Sequence, residues 1–231
     1  FGVDDSNETE ILSFENLASL TELNLDKNIN TKFNLEYLKT FNKLKLLSIS
    51  GNFKNVVSIG EIENLETLYL GSISNKTSLD FVNQLKKLKE LHISFGSREN
   101  IDEVIVENLE KLSLLWIRNL KSINDLSRFH KLKSLSLENQ GQIEAIEFDK
   151  EMKFLTLLSI NNCKKISTLK GLNNLVSLKI MGILRSPKLS FEDIINRDLP
   201  KTLEHINFYT AKQKIDKEIK EKIRNLGYKT S

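Results

Sequence analysis

Several residue types that mark common protein classes are scarce or missing in this chain. The single cysteine, Cys163, excludes an internal disulfide and favours a reducing compartment, so we expect a cytoplasmic location. No run of about 18 apolar residues occurs, so we expect no membrane-spanning segment. The nine glycines form no phosphate-binding loop, and proline is absent before Pro187. Nothing therefore interrupts the chain between residues 20 and 180.

Basic residues are also missing from one part of the chain. None precedes Lys27, whereas residues 211–231 hold seven basic and three acidic residues. The other 210 residues carry 27 basic and 28 acidic groups, and the formal net charge is only +3. A nearly neutral body without a basic stripe argues against nucleic acid as a partner.

Residues that could do chemistry are few. The three histidines, His92, His130 and His205, have no metal-ligand spacing, and Cys163 falls where a small buried thiol is expected. No cluster of titratable residues is visible. We therefore predict a protein that is not an enzyme and that has no catalytic residues, metal or cofactor.

The chain repeats the phrase L-x-x-L-x-L, in which isoleucine or phenylalanine can replace leucine. Its clearest copy closes the segment 166–180, ISTLKGLNNLVSLKI. The step of three suits a tight turn or short 3₁₀ helix, and the final L-x-L turns two side chains to one face of a strand. Nine copies fit, with first residues Leu20, Leu44, Leu65, Leu88, Leu112, Leu132, Leu155, Leu175 and Leu203. Their separations, 20–28 residues, predict a stack of coils with one strand each.

This pattern resembles the leucine-rich repeat family. It is most similar to the short-coil, internalin-like repeats of bacteria, on the apolar positions Ile117, Leu120, Ile123, Leu126, Phe129, Leu132 and Leu135. The resemblance implies an α/β fold, a horseshoe-shaped solenoid with a parallel concave sheet of about nine strands and 3₁₀ or short helical turns on its convex side.

One family feature is incomplete. After each strand the family places an inward asparagine or cysteine that bonds the backbone of the neighbouring coil. Only Asn28, Asn52 and Cys163 fit this position, while the equivalent places are held by Ile73, Gly96, Leu120, Gln140, Ile183 and Ala211. We therefore expect coils that are less uniform than those of a regular internalin.

We predict one continuous domain over residues 1–231, because stacked repeats share one core. Residues 1–19 are expected to form the N-terminal cap, 20–209 the repeats and 210–231 a C-terminal cap with a helix over 212–226. Residues 1–10 are acidic and polar, and the first few of them are expected to be disordered. Apolar cover for the first coil is assigned to Ile11, Leu12, Phe14 and Leu17. Ser190 and Asp193 predict the start of a further helix.

The concave face is where a partner should bind, because three outward positions alternate with the two inward ones in each strand. Strands about 4.8 Å apart would align Tyr69, His92 and Trp116 in a row about 10 Å long. Trp, Tyr and Arg most often carry binding energy at interfaces. The alternative is that Tyr69 and Trp116 only pack on each other. The predicted partner-binding residues are Tyr69, Glu90, His92, Leu114, Trp116, Arg118, Glu138, Lys179 and Tyr209.

These features predict a monomer that binds a protein partner. The acidic residues of the concave face would suit a basic partner. The internalin-like resemblance leaves two roles open: a cytosolic bacterial immunity or antitoxin protein, or a secreted or cell-surface adhesin of internalin type whose signal peptide precedes Phe1. Both would use the concave face.

Overall fold

The computed structural model describes residues 2–3, 11–13, 15–26, 33–51, 53–73 and 75–231 of the chain. Phe14, Asn28, Asn52 and most of the first ten residues, on which predictions were made, lie outside this part. The strands of the described part are β1 Gly2–Val3, β2 Glu22–Asp26, β3 Leu46–Ser50, β4 Thr67–Gly71, β5 Glu90–Ser94, β6 Lys111–Leu115, β7 Ser134–Glu138, β8 Ala145–Glu147, β9 Leu157–Asn161, β10 Thr168–Lys170, β11 Ile180–Leu184 and β12 His205–Tyr209. Ten of them form one parallel sheet in the order β1-β2-β3-β4-β5-β6-β7-β9-β11-β12, and β8 pairs with β10 in a second.

Identical positions of successive coils stack on one another. One inward row pairs residue by residue from β2 to β12 and consists of Leu23, Leu47, Leu68, Leu91, Leu112, Leu135, Leu158, Met181 and Ile206. All nine are buried. Burial of such side chains contributes about 1.5–3 kcal/mol each, so the repeated phrase itself supplies the core. The predicted leucine-rich repeat solenoid is confirmed.

Two strands lie in a different register from the one predicted. In β6 the inward residues are Leu112 and Leu114, not Leu115 and Ile117, so this copy of the phrase begins at Leu109. In β11 the inward residues are Met181 and Ile183, and the copy begins at Leu178. The separations between successive copies become 24, 21, 23, 21, 23, 23, 23 and 25 residues, which is more even than the predicted series.

The second residue after the strand can form hydrogen bonds in three adjacent coils. The Gln140 Nε2 donates to the carbonyl oxygens of Leu114, at 2.9 Å, and Glu138, at 3.0 Å. In the next coil the Cys163 Sγ lies 3.6 Å from the Leu137 carbonyl oxygen. Ser186 follows, and its hydroxyl accepts the Cys163 N–H at 3.1 Å. These side chains satisfy backbone groups that would otherwise be buried without partners.

Two of the predicted places in this row were wrong because the register was wrong. The residue that follows β6 in this row is Ile117, not Leu120, and the one that follows β11 is Ser186, not Ile183. The row therefore keeps polar side chains over three consecutive coils without any asparagine.

The convex side is built from short turns. Its 3₁₀ helices, together with those of the N-terminal segment, span Ile11–Ser13, Glu15–Ser19, Leu35–Thr40, Val56–Glu61, Asp80–Gln84, Leu126–Arg128 and Leu172–Asn174. The helix α1, Phe191–Ile195, begins as predicted: the Ser190 hydroxyl accepts the Asp193 N–H at 3.3 Å. The helix α2, Gln213–Asn225, buries Ile219 and Ile223 and packs on β12. In the described part of the chain, no helix has the length and apolar character needed to cross a membrane.

Candidate functional site

The concave face consists of the first, third and fifth side chains of each strand. First positions are Glu22, Leu46, Thr67, Glu90, Lys111, Ser134, Leu157, Ile180 and His205. Third positions are Asn24, Ser48, Tyr69, His92, Ser113, Ser136, Ser159, Gly182 and Asn207. Fifth positions are Asp26, Ser50, Gly71, Ser94, Leu115, Glu138, Asn161, Leu184 and Tyr209. No element of the described chain covers this face, although parallel sheets are ordinarily covered on both sides.

Five of the nine residues predicted to bind a partner lie on this face: Tyr69, Glu90, His92, Glu138 and Tyr209. The other four do not. The side chain of Leu114 is fully buried because it points from β6 into the hydrophobic core of the solenoid.

The remaining three residues lie beside the sheet. Trp116 follows the last residue of β6, and Arg118 lies two residues further on, paired with Ser97. Lys179 is exposed and directly precedes β11. Shifts of three residues in the registers of β6 and β11 explain these displacements. The outward residues are Lys111, Ser113 and Leu115 in β6 and Ile180, Gly182 and Leu184 in β11.

An aromatic pair occupies the centre of the face. The rings of Tyr69 and His92 stack with centroids 4.1 Å apart and an interplanar angle of 12°. The next position in this row is Ser113, so the predicted third member, Trp116, was wrong. The Tyr69 side chain is 37% exposed, so part of its ring remains available to a ligand.

Two charged groups, Glu90 and Lys111, lie beside this stack. The Glu90 Oε2 lies 3.3 Å from the His92 Nε2 and 3.3 Å from the Lys111 Nζ. Burial lowers the pKa of His92 below its ordinary value, and the hydrogen bond with Glu90 offsets part of this effect. Burial raises the pKa of Glu90, but His92 and Lys111 outweigh it and hold that pKa below its usual value. Glu90 thus stays ionised and fixes the orientation of the imidazole.

Beyond the stack, the central row of the face is lined by small side chains. Beyond His92 the central row continues as Ser113, Ser136, Ser159 and Gly182. Beside it, the Glu138 Oε1 accepts a hydrogen bond from the Asn161 Nδ2 at 3.2 Å. Tyr209, 48% exposed, closes the row of fifth positions at the C-terminal end. A shallow strip of small residues therefore runs between two exposed tyrosines.

A second aromatic pair, in which both side chains are exposed, lies just beyond the C-terminal ends of β5 and β6. The rings of Phe95 and Trp116 are 6.3 Å apart and inclined at 44°. Phe95 is 47% and Trp116 57% exposed. Phe95 and Lys111 were missed in the sequence. An even spacing of the repeats, which places Leu109 at the start of a copy, would have shown Lys111 as outward and Trp116 as the residue after the strand.

Groups that could bind a metal are dispersed in the described residues, where no three His, Cys, Asp or Glu side chains come together as a metal site. His205 starts β12, and His130 lies in a convex turn. Cys163 is buried between coils. The Tyr69–His92 stack is therefore the centre of the candidate site, and it can offer ring surface, one carboxylate and one ammonium group.

We expect Cys163 to resist alkylation in the folded protein. Burial raises the pKa of its thiol to about 11, so the reactive thiolate is scarce at neutral pH and a reagent cannot reach it. Treatment with N-ethylmaleimide followed by mass spectrometry should show an unmodified native chain and one adduct after unfolding in guanidinium chloride. Rapid labelling of the native chain would contradict the buried position between coils.

Neither a protein-family model nor a curated protein matches the sequence. Among solved structures, the chain is similar to the crystal structure of an internalin (inlF) from Listeria monocytogenes, with 16% sequence identity and a TM-score of 0.44. The alignment covers 96% of this chain and 70% of that one. This likeness concerns the fold alone and says nothing about what the chain binds.

Proposed function

We propose that the chain is a non-enzymatic module that binds a protein partner on its concave face, around the Tyr69–His92 stack. The observation that supports this most is a preorganised aromatic pair, with the Tyr69 ring exposed and the His92 ring half-buried beneath it, at the centre of an uncovered parallel sheet. Stacked rings lose little freedom on binding, and interface energy concentrates in such rigid aromatic residues.

The charge of the face indicates the chemistry of the partner. Its outward positions carry the carboxylates of Glu22, Asp26, Glu90 and Glu138 and a single lysine, Lys111. A partner that presents basic side chains would gain electrostatic complementarity and faster association. Glu138, in the half of the face that carries no other outward carboxylate, is the residue we assign to such a contact.

This proposal keeps Tyr69, Glu90, His92, Glu138 and Tyr209 as partner-binding residues and adds Lys111. Lys179 is not kept, because it directly precedes β11 and lies beside the face rather than on it. A basic toxin bound by an immunity protein and a basic ligand bound by an adhesin would both complement the carboxylates of the concave face. The identity of the bound protein decides between an immunity protein and an adhesin.

Tyr69→Ala should weaken partner binding by about 2 kcal/mol or more, roughly 30-fold, because it removes the exposed ring of the stack. Proteins captured from a native lysate on the immobilised chain would be identified, purified and titrated calorimetrically against both forms. Val57→Ser is the matched control. Val57 is 57% exposed, but it lies in a convex 3₁₀ helix.

The two variants separate the concave face from surface hydrophobicity in general. Binding that survives Tyr69→Ala, or that Val57→Ser weakens equally, would move the binding surface away from the stack. A melting temperature of Tyr69→Ala close to that of the parent chain would show that the loss arises in the interface.

A further inference from the structure

After seven strands of the concave sheet, from β3 to β11, the next residue adopts a backbone conformation that bulky side chains seldom adopt. Phe95 has a φ of 61° and Trp116 a φ of 47°. The same turn recurs in other coils, where this position is held by Gly51, Ser72, Asn139, Asn162 and Arg185, all with positive φ. Each of these N–H groups bonds to the next strand, as Trp116 does to the Glu138 carbonyl oxygen at 2.9 Å. The fold therefore imposes the conformation, and glycine and asparagine adopt it most easily.

Phe95 and Trp116 are unfavourable choices at these positions for two reasons. A bulky residue in the left-handed region costs more than glycine or asparagine, and about half of each side chain faces water. Their contact with each other is tilted and partial. Both residues, which lie in neighbouring coils, lower the stability of the fold and make few packing contacts. Such residues point to a role in binding.

A groove of ≈ 490 Å³ opens beside the indole and is called the Trp116 groove. Its polar lining is Ser97, Arg118, Asn119, Asn139 and Gln142. Arg118 is the one charged residue of this lining. The volume is in the range of small-molecule sites, about 300–1,000 Å³.

The amides of the groove have unused hydrogen-bonding capacity among the described residues. The Asn119 Nδ2 donates to the Ser97 Oγ at 3.0 Å, which leaves its carbonyl oxygen available. Asn139 accepts from the Asn162 amide and keeps its own NH₂ group. Gln142 accepts from the Lys165 Nζ at 2.7 Å and likewise keeps its NH₂ group. The groove thus offers one acceptor, two amide donors and the Arg118 guanidinium next to an aromatic surface.

We infer that the Trp116 groove binds a carbohydrate, with the C–H face of a pyranose ring stacked on the indole. Sugar hydroxyls both donate and accept hydrogen bonds, so they match a lining that mixes acceptor and donor groups without strong charge. Aromatic rings provide a large apolar surface for the other face of the sugar. Arg118 would add a donor to a hydroxyl or to an acidic sugar. This inference goes beyond protein binding on the concave face and does not depend on it.

The test uses the full chain on a glycan array, followed by titration of the bound oligosaccharides. Trp116 is the only tryptophan, so its emission, excited selectively over that of the four tyrosines, reports on this groove alone. Calorimetry measures the affinities of the variants, because Trp116→Asn has no tryptophan emission. Trp116→Asn and Asn139→Gly each remove a groove contact, and both new residues accept a positive φ, so both variants should fold. We expect the parent emission to change on titration. Both variants should lose affinity by about tenfold or more, as expected for one stacking or hydrogen-bonding contact, while Tyr69→Ala binds the same glycans normally.

Three results would overturn the inference. One is an array signal for the parent chain no greater than that of Trp116→Asn. Another is glycan binding that persists in both groove variants. The third is a protein partner, stripped of glycans, whose affinity falls with Trp116→Asn as much as with Tyr69→Ala, because that would make the edge part of the protein-binding face.

Discussion

Replacing Glu103 by alanine is expected to lower the free energy of unfolding by about 3 kcal/mol, because it leaves a buried guanidinium without its counter-charge. The Arg98 side chain is 8% exposed, and its Nη1 lies 2.9 Å from the Glu103 Oε1. Burial lowers the pKa of Arg98, and the charge of Glu103 counteracts this. The same Oε1 accepts the Leu79 N–H at 3.3 Å, so one carboxylate joins two neighbouring coils.

Glu99→Ala is the matched control for this experiment. Glu99 pairs with Lys121 at 2.9 Å, but both side chains are more than 60% exposed, so this substitution should cost less than about 1 kcal/mol. Chemical unfolding of the two variants and the parent chain measures both effects. Similar small losses in the two variants would show that the Arg98–Glu103 pair is solvated and carries little stability. A second variant, Arg98→Met combined with Glu103→Leu, should recover part of the loss by removing both charges.

The sequence predicts the fold well because the repeat is a direct consequence of packing. Where only one phase of L-x-x-L-x-L fits the residues, as around Leu68 or Leu135, the strand is found in the predicted register. The outward residues of those strands follow automatically, which is why Tyr69, Glu138 and their neighbours lie on the concave face as expected.

The predicted register was wrong in β6, where leucine is so abundant that two registers fit, and in β11, where methionine replaces a leucine of the phrase. Residues 109–117, LEKLSLLWI, contain two overlapping copies of the phrase three residues apart. Apolar pattern alone cannot choose between them, because either phase buries two large apolar residues. In β11 an inward position holds Met181, which does not match the phrase. The copy that begins at Leu175 matches it and was therefore chosen instead of the copy that begins at Leu178. The number of residues in the neighbouring coils resolves both ambiguities, because coils that stack on one another must contain nearly equal numbers of residues.

The candidate site depended on these details more than the fold did. A shift of three residues exchanges the two faces of a strand. Leu114, which was predicted to point outward, therefore points into the core, and Lys111 becomes an outward residue, while the strand order of the sheet is unaffected. The positive-φ turn was also missed. Gly51, Asn139 and Asn162 are the residues that favour it, and they recur one residue after the end of their strands. That regularity separates residues on the sheet from residues at its edge.

Leu114→Ala should cost about 2–5 kcal/mol of stability, the range for removing a buried leucine side chain. In the structure Leu114 is fully buried, and it lies between Ile93 and Leu137 of the adjacent strands. Truncation would open a cavity that the rigid stack of coils can close only in part. In the register predicted from sequence, Leu114 faces solvent and its truncation would cost little.

Leu115→Ala distinguishes the two registers by the opposite expectation. Leu115 is half-buried at the last outward position of β6, so its loss should cost about 1 kcal/mol. Chemical unfolding of both variants provides the comparison, and the ratio of the two costs is more informative than either value. If Leu115→Ala proved the more damaging, β6 would present Leu114 and Trp116 to the concave side. The Trp116 groove and the assignment of Lys111 to the face would then both be lost.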